Sequence, residues 1–286
     1  MDIFVKNGIL ALANVVECDR TGWIQGHVGA SLLAGSALLK SGVLPKASYD
    51  SLKSRLKKQI EKYEHLLKPL ESSQLTSDYT AILNAIELNT RQLSRSGHGV
   101  IYGALFLKAI SNNDINVSEI TVSNIAKLIV NCTEDNWGRY FGLVDYRQYK
   151  HSNLTEKDIR TLCSLAVTRS SSNVYLDTSD YFFAGEKIHG ITHAHAVFIL
   201  NELGYTDLAS KAASQLLIQL DLNDLKPDSG LQLAQPKRFE LSDPTLWGVG
   251  FNDEHQIKLA QSYSELSTEL NIQLSDIDDL WGAVNS

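Results

Sequence analysis

Cysteine is scarce in this chain: Cys18, Cys132 and Cys163 are the three in 286 residues. They are scattered, odd in number, and none stands in a Cys-x-x-Cys pair. That argues against a disulfide framework and against a thiolate zinc site, and it fits a reducing compartment. Proline is also sparse, at five residues, so long helices meet few obligatory breaks. No stretch alternates polar and apolar residues between hairpin turns, which speaks against an all-β fold. No apolar run reaches the roughly 20 residues of a membrane-spanning helix. The segment Met1-Asp2-Ile3-Phe4-Val5-Lys6 lacks the basic start and apolar run of a secretory signal, so the cytoplasm is the expected location.

Positive charge is in deficit as well. Lys and Arg number 26 against 33 Asp and Glu, a net charge of −7, and no basic face compensates for it. Nucleic acid is therefore not an expected partner. The one basic cluster, Lys53, Arg55, Lys57, Lys58 and Lys62, alternates with Leu52, Leu56, Ile60 and Tyr63. It reads as the solvated side of an amphipathic helix. There is no phosphate-loop spacing, no Gly-x-Ser-x-Gly and no dinucleotide fingerprint behind a strand.

What is present is helical periodicity. Apolar residues make up 43% and charged residues 21%, as in an ordinary globular protein. The spacing predicts helices over 3–17, 23–41, 45–67, 76–94, 100–107, 118–131, 155–169, 186–203, 206–221, 253–270 and 275–284. Residues 23–41 are apolar all round and rich in Gly and Ala, the mark of a buried helix. Residues 45–67 are amphipathic, as an outer helix should be. Ser118 is a cap, and Thr155 with Asp158 forms a capping box. Residues 132–153, 170–185 and most of 222–250 show no clean period and are predicted as loops. The whole of 1–286 is expected to form a single all-α domain.

Three helix entrances look alike. They read Gln25-Gly26-His27-Val28-Gly29-Ala30, Ser96-Gly97-His98-Gly99-Val100-Ile101-Tyr102-Gly103-Ala104 and Ile188-His189-Gly190-Ile191-Thr192-His193-Ala194. A degenerate fourth is Asn252-Asp253-Glu254-His255-Gln256-Ile257. Each starts an apolar helix followed by a more amphipathic one. Buried helices alternating with outer ones is the layer logic of a helical toroid, or, left open, of a solenoid. In a closed ring the inner-helix N-termini converge on one rim. Their histidines would share one cavity, and their dipoles would favour an anionic ligand there.

Through Gly97-His98-Gly99-Val100-Ile101-Tyr102-Gly103 the chain resembles the α/α-toroid enzymes, closest to the His-Gly helix entrances of lanthionine synthetase cyclases. The resemblance covers the inner-helix starts only and implies a toroid architecture. That family's zinc site uses cysteines, including a Cys-His-Gly element. Here Cys132 precedes Thr133 and Cys163 precedes Ser164, so no catalytic residue carries over. A second short likeness is Asp276-Ile277-Asp278-Asp279, the acid motif of class II terpene cyclases. It sits at a helix start, where Ser275 and Asp278 make an ordinary cap.

The richest stretch is Glu186-Lys187-Ile188-His189-Gly190-Ile191-Thr192-His193-Ala194-His195. In a helix Glu186, His189 and His193 fall on one face, so they are candidate ligands for a divalent metal such as zinc or iron. Capping and packing are the plain alternative. His195 falls on another side and is expected to bond outward. No Glu follows either histidine as in His-Glu-x-x-His, so a zincin peptidase is not supported. His98, His189, His193, Arg139 and Tyr140 are the candidate catalytic residues. His27, Trp137, Tyr102 and Asp135 are the candidate substrate-binding ones, and Glu254 with His255 is a similar pair. Arg139 would fork an anionic group, or else make a surface ion pair.

The expectation is an enzyme acting on a small or medium organic or peptidyl, anionic substrate. Its chemistry would be histidine acid–base or metal-assisted, in a central helical cavity. The alternatives are a non-catalytic helical scaffold for a protein partner and, as a minor one, a terpene-cyclase-like enzyme. No membrane partner is expected; a homodimer is a candidate assembly.

Overall fold

The computed structural model describes residues 2–71, 74–134, 148, 159–176, 182–226, 231–247, 253–270 and 277–284. Eleven α-helices dominate them: α1 Ile3–Cys18, α2 Gly26–Lys40, α3 Lys46–Lys62, α4 Thr80–Asn89, α5 His98–Asn113, α6 Glu119–Asn131, α7 Ile159–Ser171, α8 Phe182–Glu202, α9 Thr206–Asn223, α10 Asp253–Leu270 and α11 Asp278–Val284. The fold is all-α, as the periodicity predicts. Local chemistry explains the ends. Asp2 caps α1 through the Phe4 amide, and Ser118 caps α6 through the Thr121 amide, each satisfying a donor that the first turn leaves over.

The differences from the sequence expectation are local, and the helix expected over 76–94 runs only over Thr80–Asn89, with Thr76 in a strand. Leu75–Thr76 (β1) pairs antiparallel with Val117–Ser118 (β2), and Tyr175–Leu176 (β3) pairs with Gln232–Leu233 (β4). Two residues per strand carry no readable period. α8 begins at Phe182 rather than at 186, so His189 and His193 stand inside the helix and not at its mouth. The expected capping box at 155–158 lies outside the described residues.

Four helices form the inner layer. α2 packs on α5, α5 on α8, α8 on α10, and α10 back on α2. α2 and α5 are buried on almost every side, as is α8 from residue 185 to 200. Amphipathic α1, α3, α4, α6, α7 and α9 pack outside them. The approach of α1 to α2 depends on glycine. A Cβ on Gly29 would lie 2.7 Å from the Gly8 carbonyl oxygen, and one on Gly8 would meet the Leu33 side chain at 2.7 Å. The four inner helices run the same way. Their early residues His27, His98, His189 and His255 gather at one end. Later residues of three of them, Ser36 and Lys40 of α2, Lys108 of α5 and Glu265 of α10, line a pocket of about 300 Å³ at the other.

A buried histidine cluster as candidate functional site

Each inner helix delivers one imidazole. His27, His98, His189 and His255 come from α2, α5, α8 and α10, and one ring nitrogen of each lies within 4.8 Å of the others. His98 Nε2 is 3.0 Å from His27 Nε2, and His189 Nε2 is 3.2 Å from His255 Nε2. Ring centroids are 4.3 Å apart for His98 and His189 and 4.4 Å for His27 and His255. His98 and His189 are buried; His27 and His255 keep partial exposure.

The backbone reason for this convergence is clearest at α5. Arg95, Ser96 and Gly97 all have positive φ, with Gly97 at +81°. That left-handed corner is the α5 N-cap and turns the chain sharply into His98. Glycine is required twice over at 97, because a Cβ there would stand 2.5 Å from His193 Nδ1. The corner is clamped from three sides. Ser96 Oγ donates to Glu186 Oε1 at 2.5 Å, Gln219 Nε2 donates to the Ser96 carbonyl at 3.2 Å, and Arg95 donates to the Glu134 carbonyl. The Arg95 guanidinium lies 4.7 Å over the Trp23 ring, and Trp23 stacks edge-on against His98.

The outer nitrogens are oriented by neighbours. His98 Nδ1 bonds the Arg95 carbonyl, which only accepts, so neutral His98 carries its proton on Nδ1 and presents a lone pair at Nε2. His27 Nδ1 is 2.5 Å from Lys258 Nζ. His189 Nδ1 is 4.0 Å from Glu186 Oε1 and has no hydrogen-bond partner among the described residues. Tyr102 packs its ring edge-on at 5.9 Å from His27. It is fully buried, and its hydroxyl has no partner among the described residues.

Burial sets the charge state. It pushes all four imidazoles well below the ordinary histidine range, His98 to about 3, and the nearby Lys258 ammonium opposes their protonation further. The same desolvation lowers Lys258 to about 7. The cluster is therefore four neutral imidazoles, which is the ligand form of histidine.

The sequence candidates divide as follows. His27, His98 and His189 are brought together, with His255 as the fourth member and Tyr102 beside them. His193 sits one helical turn from His189, where its Nδ1 donates to Gln219 Oε1 at 2.9 Å; burial lowers it to about 4. Glu186 holds Ser96 and stands behind His189, not among the converging nitrogens. His195 bonds inward, to Ser262 Oγ at 3.1 Å and Glu265 at 3.2 Å. Asp278 accepts from the Phe239 amide at 2.7 Å and fastens a loop. Asp135, Trp137, Arg139 and Tyr140 lie outside the described residues.

Lys258, Arg95 and Trp23 were not signalled as site residues by the sequence. The available sign for Lys258 was a lysine at i+3 from His255, set between Ile257 and Leu259. No family model, curated protein or solved structure matches this chain, so the likeness to the lanthionine synthetase cyclases rests on the helix entrances alone.

Proposed function

We propose that the protein is a metal-dependent enzyme whose centre is formed by His27, His98, His189 and His255. The observation that carries this reading is the convergence of four neutral imidazole nitrogens from four separate helices. Ligands at about 2.0 Å from a tetrahedral ion stand roughly 3.3 Å apart, close to the His27–His98 and His189–His255 contacts of 3.0 and 3.2 Å within a set spread over no more than 4.8 Å. An all-imidazole donor set suits zinc or iron. The Arg95 carbonyl behind His98 and Glu186 behind His189 are the kind of outer partners that orient ligating histidines. With three of the four imidazoles bound and the fourth position left to water or substrate, an ion there would polarise a substrate oxygen or activate water. The closed cycle of packing among α2, α5, α8 and α10 supports an α/α toroid over an open solenoid, and the gathering of the rings favours an enzyme over a scaffold. Three cysteines without disulfide partners fit a cytoplasmic setting.

A second reading has its own observation. Lys258, His27 and His98 form a hydrogen-bonded file ending on the Arg95 carbonyl. Without a metal, such a file would move a proton to or from a substrate at Lys258, its untied end, since both nitrogens of His27 are engaged, as general acid–base catalysis.

The test is titration of zinc or cobalt(II) into metal-free protein, followed by calorimetry. One ion per chain is expected. His98→Ala and His189→Ala should each weaken binding at least about tenfold, because losing even an outer partner of a ligating histidine costs about that much. His195→Ala should leave it unchanged. Failure of the wild-type protein to take up any stoichiometric ion would remove the metal reading and leave the proton file.

A further inference from the structure

Resting on that metal reading, we propose that His98, His189 and His255 bind the ion, while His27, fixed by Lys258, stays off it and donates its Nε2–H to the oxygen in the fourth position. The argument is one of proton direction. His98 Nδ1 is tied to the Arg95 carbonyl, which only accepts, so neutral His98 keeps a lone pair at Nε2. His27 Nε2 lies 3.0 Å from that lone pair. The contact is a hydrogen bond only if His27 carries its proton on Nε2. Neutral His27 then has its own lone pair at Nδ1, where Lys258 Nζ donates to it at 2.5 Å. The direction of the whole file is thus set from its Arg95 end, whatever the charge on Lys258.

A ligand must turn a lone pair to the ion, and His98 already does so. For His27 to follow, its proton would have to move to Nδ1, against a buried Nζ that is itself donating there. An ammonium has no lone pair to receive it, and the Glu254 carboxylate favours the ammonium form of Lys258. His189 is under no such constraint. Its Nδ1 has no hydrogen-bond partner among the described residues and stands 4.0 Å from Glu186 Oε1, so its proton can rest there and leave Nε2 to the ion. His255 Nε2, 3.2 Å from His189 Nε2, completes the three.

Once His98 Nε2 is given to the ion, the His27 Nε2–H loses its acceptor. A buried donor without a partner is costly, and an oxygen in the fourth position, from water or substrate, replaces what was lost. His27 keeps partial exposure, so it stands on a side that an incoming molecule can reach. Three protein ligands and one open position is the arrangement of catalytic zinc sites; a fourth bound imidazole would close it. His27 is then the donor that orients the oxygen, and Lys258 is the positioning residue that holds His27 in the donating tautomer.

The experiment is nitrogen-15 NMR of the histidine side chains in the full chain, zinc-free and zinc-loaded. His98, His189 and His255 should each acquire a zinc-bound nitrogen, and His27 should remain an Nε2–H tautomer in both states. His27→Phe should weaken zinc less than about tenfold, and His255→Ala more than that. Lys258→Met frees Nδ1 of His27, so His27 should join the ion as a fourth ligand; Lys258→Arg should keep three. A zinc-bound nitrogen on His27 of the wild-type protein would overturn this inference and leave the metal centre standing. So would a loss of zinc affinity in His27→Phe as large as in His255→Ala, or a Lys258→Met protein whose His27 stays off the ion. Failure of the wild-type protein to bind zinc would instead strike the metal reading itself.

Discussion

At the residue scale the protein holds buried histidines neutral, and this has a consequence for pH. His27, His98, His189, His193, His195 and His255 are all depressed by burial. Below pH 6.5 the unfolded chain takes up protons that the folded chain refuses until about pH 4 at His193 and about pH 3 at His98. Their stabilising effect is therefore complete above about pH 6.5 and is lost as the pH falls. Each such histidine costs about 1.4 kcal/mol per pH unit across that window. Urea unfolding between pH 7.5 and 5 should thus show stability falling steeply with acid, with several protons bound on unfolding. A flat profile would mean that these imidazoles are charged or solvated in the folded state. Zinc should shift the fall to lower pH, because metal and proton compete for the same lone pairs.

The residues also show where sequence reading stops. His27, His98 and His189 were legible because glycine and an apolar run mark each helix entrance. His255 was only half legible, since Asn252 and Asp253 replace the glycine. His193 shares a helical face with His189, so spacing alone pairs the two. The structure separates them because α8 is an inner helix: one turn along, the same face meets Gln219 and Gly97 and no longer meets the other imidazoles. Lys258 was invisible because a lone lysine in an amphipathic helix reads as solvated, and only packing reveals that it is 1% exposed.

At the scale of elements, close contact between α1 and α2 sets the depth at which His27 is held. A Gly-to-Ala change inside a helix ordinarily stabilises by up to about 1 kcal/mol. At Gly29 the sign reverses, because the new methyl would press on the backbone oxygen of Gly8. Gly29→Ala should destabilise by about 2 kcal/mol, as overpacking does. Gly8→Ala should cost less, since what it meets first is the end of the Leu33 side chain. Thermal unfolding of both variants checks this; a Gly29→Ala protein as stable as the parent would refute the tight crossing. Helix existence was read well from period and composition, because α2 and α5 are apolar all round and α3 is not. The start of α8 was misplaced because aromatic Tyr181, Phe182 and Phe183 break the helical period. The two-residue bridges β1–β2 and β3–β4 are too short to leave any pattern.

At the scale of the whole molecule, no helix among the described residues is long and apolar enough to cross a membrane, and the chain's apolar surface goes into a layered helical core. The inner helices run in one direction, so a single end collects their histidines, together with the N-termini of α2, α5 and α10. The sequence suggested such a gathering from the repeated entrances; the cycle of packed helices and the nitrogen-to-nitrogen distances are what give it chemical content. The most direct measurement is the X-ray absorption spectrum of the zinc-loaded protein. Three or four nitrogen scatterers at about 2.0 Å with the multiple-scattering signature of imidazole, in a four-coordinate shell, are expected. A first shell dominated by oxygen or sulfur, or one with two or fewer imidazoles, would contradict the four-histidine centre.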